Sequence, residues 1–109
     1  MYLGKDLGTS SMKCLVIGED QEILHSVSSE DIPLSNPQSG WSEQDPSSWI
    51  IALDQCIKKL KEKININEIN SVSFSGHMHG ATCINKNHEI IRPCILWNDT
   101  RSHQEYSEI

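Results

Sequence analysis

Apolar and polar positions change period several times along the chain. Tyr2 to Leu7 opens on apolar residues and stops at the turn-forming cluster Gly8-Thr9-Ser10-Ser11. Met12 to Ile17 is a second strand-like run, with Met12, Cys14 and Val16 on one face and Lys13, Leu15 and Ile17 on the other. Gly18 to Gln21 reads as a turn and Glu22 to Ser28 as a third strand. Two short, turn-rich separators between three such runs predict an antiparallel meander of two hairpins. Ile32 to Gly40, with its prolines, serines and Asn36, reads as a loop.

The period then becomes helical. Asp45 is placed to cap a helix and Pro46 suits its first position. Trp49, Ile50, Leu53, Ile57, Leu60 and Ile64 recur at the spacing of an apolar stripe that Asn65 to Asn70 breaks. Ser71 to Ser75 alternates strictly, as a strand does. Ala81 to Ile84 and Glu89 to Ile91 read as two more short strands around the turn 85–88, and Pro93 to Trp97 as a buried apolar run. After Asn98 the pattern is helical again to Ile109.

Composition narrows the function. A length of 109 residues suits one small domain. The net charge of −6 gives no basic footprint for nucleic acid, and Lys58, Lys59, Lys61 and Lys63 read as the solvated side of the helix. No apolar run approaches the roughly 18 residues of a membrane span, and the first residues lack the pattern of a secretory signal. A cytoplasmic protein without membrane or nucleic-acid partners is therefore expected. Cys14, Cys56, Cys83 and Cys94 lie in no C-x-x-C pair and read as free thiols. His77, His79, Cys83, His88 and Cys94 crowd one region, but their spacing matches no common zinc pattern.

One segment carries chemistry on its residue types alone. In Asp6-Leu7-Gly8-Thr9-Ser10-Ser11, a turn of small residues between strands can aim backbone N–H groups and the Thr9 and Ser10 hydroxyls at a phosphate. Asp6, just before it, can hold a hydrated Mg²⁺ or orient a reacting group. An ordinary hairpin turn that starts at Asp6 explains the same residues.

Four pieces in order, Y-L-G-K-D-L-G-T-S, W-S-E-Q-D-P-S-S-W, S-G-H-M-H-G-A-T and R-P-C-I-L-W-N-D-T-R, together resemble the N-terminal region of the FGGY carbohydrate kinases. The resemblance covers essentially the whole chain. It implies an α/β fold, the N-terminal part of a ribonuclease-H-like (actin-like ATPase) domain with a mixed sheet and flanking helices. Residues 1–109 would be an incomplete first domain, the rest of it and a second domain being absent.

The implied activity is ATP-dependent, Mg²⁺-assisted phosphorylation of a small-molecule sugar, D-xylulose before gluconate, another pentulose or glycerol. A full-length homodimer is compatible with this. A non-catalytic sugar-binding module is the alternative of a different class. The resemblance makes Asp6 the catalytic carboxylate near phosphate and metal, and puts Gly8, Thr9 and Ser10 on the nucleotide phosphates. Met78, His79, Trp97, Asn98, Asp99 and Arg101 would line the sugar pocket. The family's catalytic base and most nucleotide contacts would lie beyond residue 109, leaving this chain inactive alone. Two positions depart from the family pattern. Lys5 stands where an apolar strand residue is usual and must snorkel or pair. His77 stands where glutamine is usual.

Overall fold

The computed structural model describes all residues 1–109. Its chain order is β1 (Tyr2–Leu7), β2 (Met12–Ile17), β3 (Ile23–Ser28), β4 (Glu43–Gln44), α1 (Pro46–Lys61), a 3₁₀ turn (Ile66–Glu68), β5 (Ser71–Gly76), β6 (Cys94–Ile95) and α2 (His103–Glu108). The length suggested a single domain, yet the contacts divide into two compact units. One comprises Met1–Ile32 and Trp49–His77, the other Pro33–Ser48 and Met78–Ile109.

The first unit holds a four-stranded sheet in the order β3-β2-β1-β5. The predicted meander forms, with β1 antiparallel to β2 and β2 to β3, and β5 adds parallel to β1. The sheet is therefore mixed, as the resemblance implied. A parallel neighbour needs a crossover, and α1 supplies it. Alternation in β2 is borne out, since Met12, Cys14 and Val16 are buried. They form a core with Leu3, Val27, Ile32, Ala52, Cys56 and Leu60.

The Asp45 cap is present. The Ser47 amide donates to Asp45 Oδ1 at 2.9 Å and the Ser48 amide to the Asp45 carbonyl at 3.0 Å. The buried stripe of α1 is narrower than its sequence suggests. Ala52, Cys56 and Leu60 are buried, whereas Ile50, about 100° round the helix from Trp49, is 68% exposed. Lys58, Lys59 and Lys61 occupy the last turn and are exposed, where positive charge complements the helix dipole. In β5 the alternation correctly marks a strand but not a buried face: Val72 and Phe74 are exposed, because α1 covers the β1–β2 centre and β5 lies at the sheet edge. Lys5 does pair, its Nζ lying 4.8 Å from the centroid of the Phe74 ring.

The second unit contains less regular structure. β4 and β6 pair antiparallel, a ladder the polar W-S-E-Q segment did not announce. The predicted strands over 81–84 and 89–91 shrink to single bridges, Ala81 with Ile95 and Ile84 with Ile90. Asn85 closes the turn between them, its Oδ1 accepting from the Asn87 and Glu89 amides. Of the run 93–97, Cys94 and Leu96 are buried but Trp97 is half exposed, following the two-residue period of a strand rather than a buried block. The buried set here is unusually polar, with Ser42, Glu43 and Gln44 all inside.

Candidate functional site

In the first unit, Asp6 and its neighbours in register build one face of the sheet. Asp6 lies opposite Lys13 on β2 and Ser75 on β5, and Gly4 opposite Ser73. Paired residues share a face, and the small side chains at 4, 73 and 75 leave that face hollow. The result is an open trough of about 250 Å³ lined by Gly4, Asp6, Lys13, Ser73 and Ser75 among others. The Asp6 carboxylate is exposed there, and its Oδ1 accepts a 2.6 Å hydrogen bond from Ser75 Oγ.

The turn after β1 departs from the simple nest expected. The Gly8 amide donates to the Ser11 carbonyl at 3.0 Å, so this N–H closes the turn instead of pointing outward. The site is tight at Gly8, since a Cβ there would come within 3.1 Å of the same carbonyl oxygen and push it by a few tenths of an ångström. The Ser10 carbonyl accepts from the Ile32 amide at 2.7 Å, which leaves Ser10 exposed on a tethered turn. Thr9 is half-buried beside it. An oriented carboxylate, a cation in register with it and a hydroxyl-bearing turn suit an anionic phosphate group with a hard metal ion.

At the end of β5 the His77 ring packs edge-on against Trp49, centroids 5.5 Å apart. Both ring nitrogens are buried and neither has a hydrogen-bond partner.

In the second unit a cavity of about 430 Å³ is lined by His79, Ala81, Trp97, Asp99, Arg101 and Ser102, with the strand residues between. Four of the six residues expected at a sugar pocket thus meet in one place. Met78 and Asn98 are exposed but do not line it. His79 has a φ of +60°, a left-handed conformation that costs a non-glycine residue roughly 1–2 kcal/mol.

Asp99 and Arg101 are strongly engaged with each other. Asp99 accepts from the Ser42 amide at 2.6 Å, the Arg101 amide at 2.9 Å, Arg101 Nε at 2.9 Å and Arg101 Nη2 at 2.7 Å. The Arg101 guanidinium beside it, followed by the backbone donors, holds its carboxyl well below the usual carboxylate range, against the opposing effect of burial. Arg101 Nη2 also donates to Glu43 at 2.8 Å, and its guanidinium lies 3.7 Å from the Trp41 ring centroid. Trp97 and His79 are exposed members of the lining, as are Ala81 and Ser102.

Sequence reasoning missed Lys13, Ser75 and Glu43. Strand parity could have placed Lys13 on the face of Asp6, whereas Ser75 and Glu43 depend on long-range pairing.

The profile of the N-terminal domain of the FGGY family of carbohydrate kinases matches residues 1–109, and the chain belongs to that family. It is 39% identical over 105 residues to the xylulose kinase of Escherichia coli, a match covering 96% of this chain and 22% of the relative. A crystal structure of a xyloylose kinase from Brucella ovis superimposes with a TM-score of 0.94 at 45% identity, over 98% of this chain and 23% of that one. Gluconate kinase from Lactobacillus acidophilus superimposes at 0.90 with 26% identity, over 98% and 21% respectively. The chain thus spans less than a quarter of the length of these relatives.

Proposed function

We propose that these 109 residues form the N-terminal part of a kinase that transfers phosphate from ATP to a sugar, D-xylulose giving D-xylulose 5-phosphate. The observation that carries this reading is the Asp6 carboxylate, exposed in its trough, oriented by Ser75 and placed across the ladder from Lys13. The xylulose kinase of Escherichia coli, at 39% identity, and the xyloylose kinase of Brucella ovis, at 45%, are more similar to this chain than the Lactobacillus acidophilus gluconate kinase, at 26%, which favours the pentulose.

Asp6 would hold the hydration shell of Mg²⁺, while Gly8, Thr9 and Ser10 form the turn against the nucleotide phosphates. A bound Mg²⁺ would neutralise charge on the phosphate oxygens. In the second unit, His79 would hydrogen-bond a sugar hydroxyl, and Trp97 would give the ring an apolar wall. Met78 and Asn98 would flank the opening, and Asp99 and Arg101 would set its shape. An enzyme that draws on ATP and such a sugar would work in the cytoplasm.

The test is a full-length E. coli xylulose kinase in which this chain replaces the matching N-terminal segment. D-Xylulose should be phosphorylated in preference to gluconate and glycerol, and the isolated chain, lacking the family's base, should transfer none. Preference for gluconate or glycerol would overturn the sugar assignment, and turnover by the isolated chain would overturn its status as a part.

A further inference from the structure

Glu43 is the acid of the W-S-E-Q segment, and the reading above gives it no part. Its side chain is only 7% exposed, yet two cations converge on one of its oxygens. Arg92 Nη2 and Arg101 Nη2 both donate to Oε1. A carboxylate this buried is costly unless paired, so the pair of guanidinium groups is what keeps it charged inside the unit.

Of the two, Arg101 reaches the cavity. Its planar fork is fixed on its edges by Glu43 and Asp99 and on its face by Trp41. Asp99 in turn accepts from the Ser42 amide, and the Leu96 amide donates to the Ser42 carbonyl at 2.9 Å. The stretch that carries Trp97 is thereby tied at both ends to Ser42, the residue before Glu43. Glu43 is absent from the cavity lining, whereas Asp99, Arg101 and Trp97 are part of it.

We infer that Glu43 is a positioning residue for the sugar cavity, acting through Arg101 to fix the wall that Trp97, Asp99 and Arg101 form. This rests on the reading of that cavity as the sugar site. Glu43→Gln keeps the volume and one acceptor oxygen but removes the charge shared by the two arginines. Arg101 then retains only Asp99 as an ionic partner, and the wall loses one of its two fixed edges.

In the full-length kinase carrying this chain, Glu43→Gln should raise the xylulose KM by roughly three- to tenfold, the scale of one ordinary hydrogen bond. The ATP KM and kcat should stay within about twofold. An unchanged xylulose KM, or an equal rise in both KM values, would overturn the inference, the latter because general loosening acts on both substrates. If the unsubstituted kinase phosphorylates no sugar, the functional reading fails, and the positioning claim is judged on the ¹⁵N-labelled full-length protein carrying this chain. There Glu43→Gln should shift the Trp97 indole and Arg101 Nε resonances, and unmoved resonances would refute it. Should Glu43→Gln not fold, Arg92→Gln perturbs the same carboxylate from its more exposed side. It should move the xylulose KM, or those resonances, in the same direction by less, and no movement would count against the inference.

Discussion

Ser75 Oγ donates a 2.6 Å hydrogen bond to Asp6 Oδ1, joining two residues 69 positions apart that lie side by side in the parallel β1–β5 ladder. A hydroxyl donor on one carboxylate oxygen restricts how the other can turn toward a ligand. In the full-length kinase carrying this chain, Ser75→Ala should therefore lower kcat by roughly tenfold, less than the ~10²-fold expected on losing Asp6 itself. Both KM values should stay near their starting levels. Unchanged kcat would mean that the hydrogen bond plays no part in orienting Asp6.

Asp99 makes the fold acid-sensitive. Its carboxyl is held below the usual range by Arg101, so its contribution is complete above the unfolded-state value of about 4 and is lost as pH falls below that. Thermal unfolding of the chain should show a plateau near neutral pH and a decline below about pH 4. Asp99→Asn should be less stable at neutral pH and decline less steeply in acid. Parallel pH profiles for the two proteins would contradict the assignment.

The thiols offer a test of the core. Cys14, Cys56 and Cys94 are buried and Cys83 is exposed. Burial, with neighbouring Cys56 adding to it, pushes the Cys14 thiol up to about 12, and burial also raises Cys56. At pH 8 only about one part in 10⁴ of Cys14 would be thiolate, the reactive form. A thiol reagent should titrate Cys83 rapidly in the native chain and all four cysteines in denaturant. Fast reaction of Cys14 or Cys56 without denaturant would show that the sheet and α1 are not packed as described.

The two ring nitrogens of the half-buried His77 are buried without hydrogen bonds and so cost stability, on the order of 1–3 kcal/mol for stranded polar groups. His77→Phe keeps an aromatic edge toward Trp49 and removes both nitrogens. The melting temperature should rise by about 4 °C or more, the shift that ~1 kcal/mol produces in a domain of this size. A lower melting temperature would reveal that the imidazole has a partner.

Much of this architecture was legible from local pattern. Two-residue alternation in Met12 to Ile17 sorted the strand into the two faces found, one of them buried, because that strand is central and one-sided. Asp45 and Pro46 marked the start of α1, because a cap is a local device. The second unit was harder to read. Its ladder pairs Glu43 and Gln44 with Ile95 and Cys94, and buried polar residues there mimic a loop in sequence. Of the candidate site, Asp6 came from its residue type before a small-residue turn and His79 from motif resemblance, neither of which gave a hint that Ser75 orients one carboxylate or that Asp99 is held by Arg101. The first is a long-range fact, fixed by which strand lies beside which, whereas Asp99 and Arg101 are two residues apart and meet through the local backbone conformation. Gly8 illustrates the same limit from the other side, for its amide was expected to face a phosphate and instead closes its own turn.

The central claim is a division of labour, Asp6 toward phosphate and His79 toward sugar. Steady-state kinetics on the full-length kinase carrying this chain, with ATP and D-xylulose each varied in turn, test it most directly. Asp6→Ala should lower kcat by about 10²-fold or more with little change in the xylulose KM. His79→Ala should raise the xylulose KM by roughly three- to tenfold and leave the ATP KM near its original value. Activity within a few-fold of the parent for Asp6→Ala, or a His79→Ala effect confined to ATP, would contradict the account.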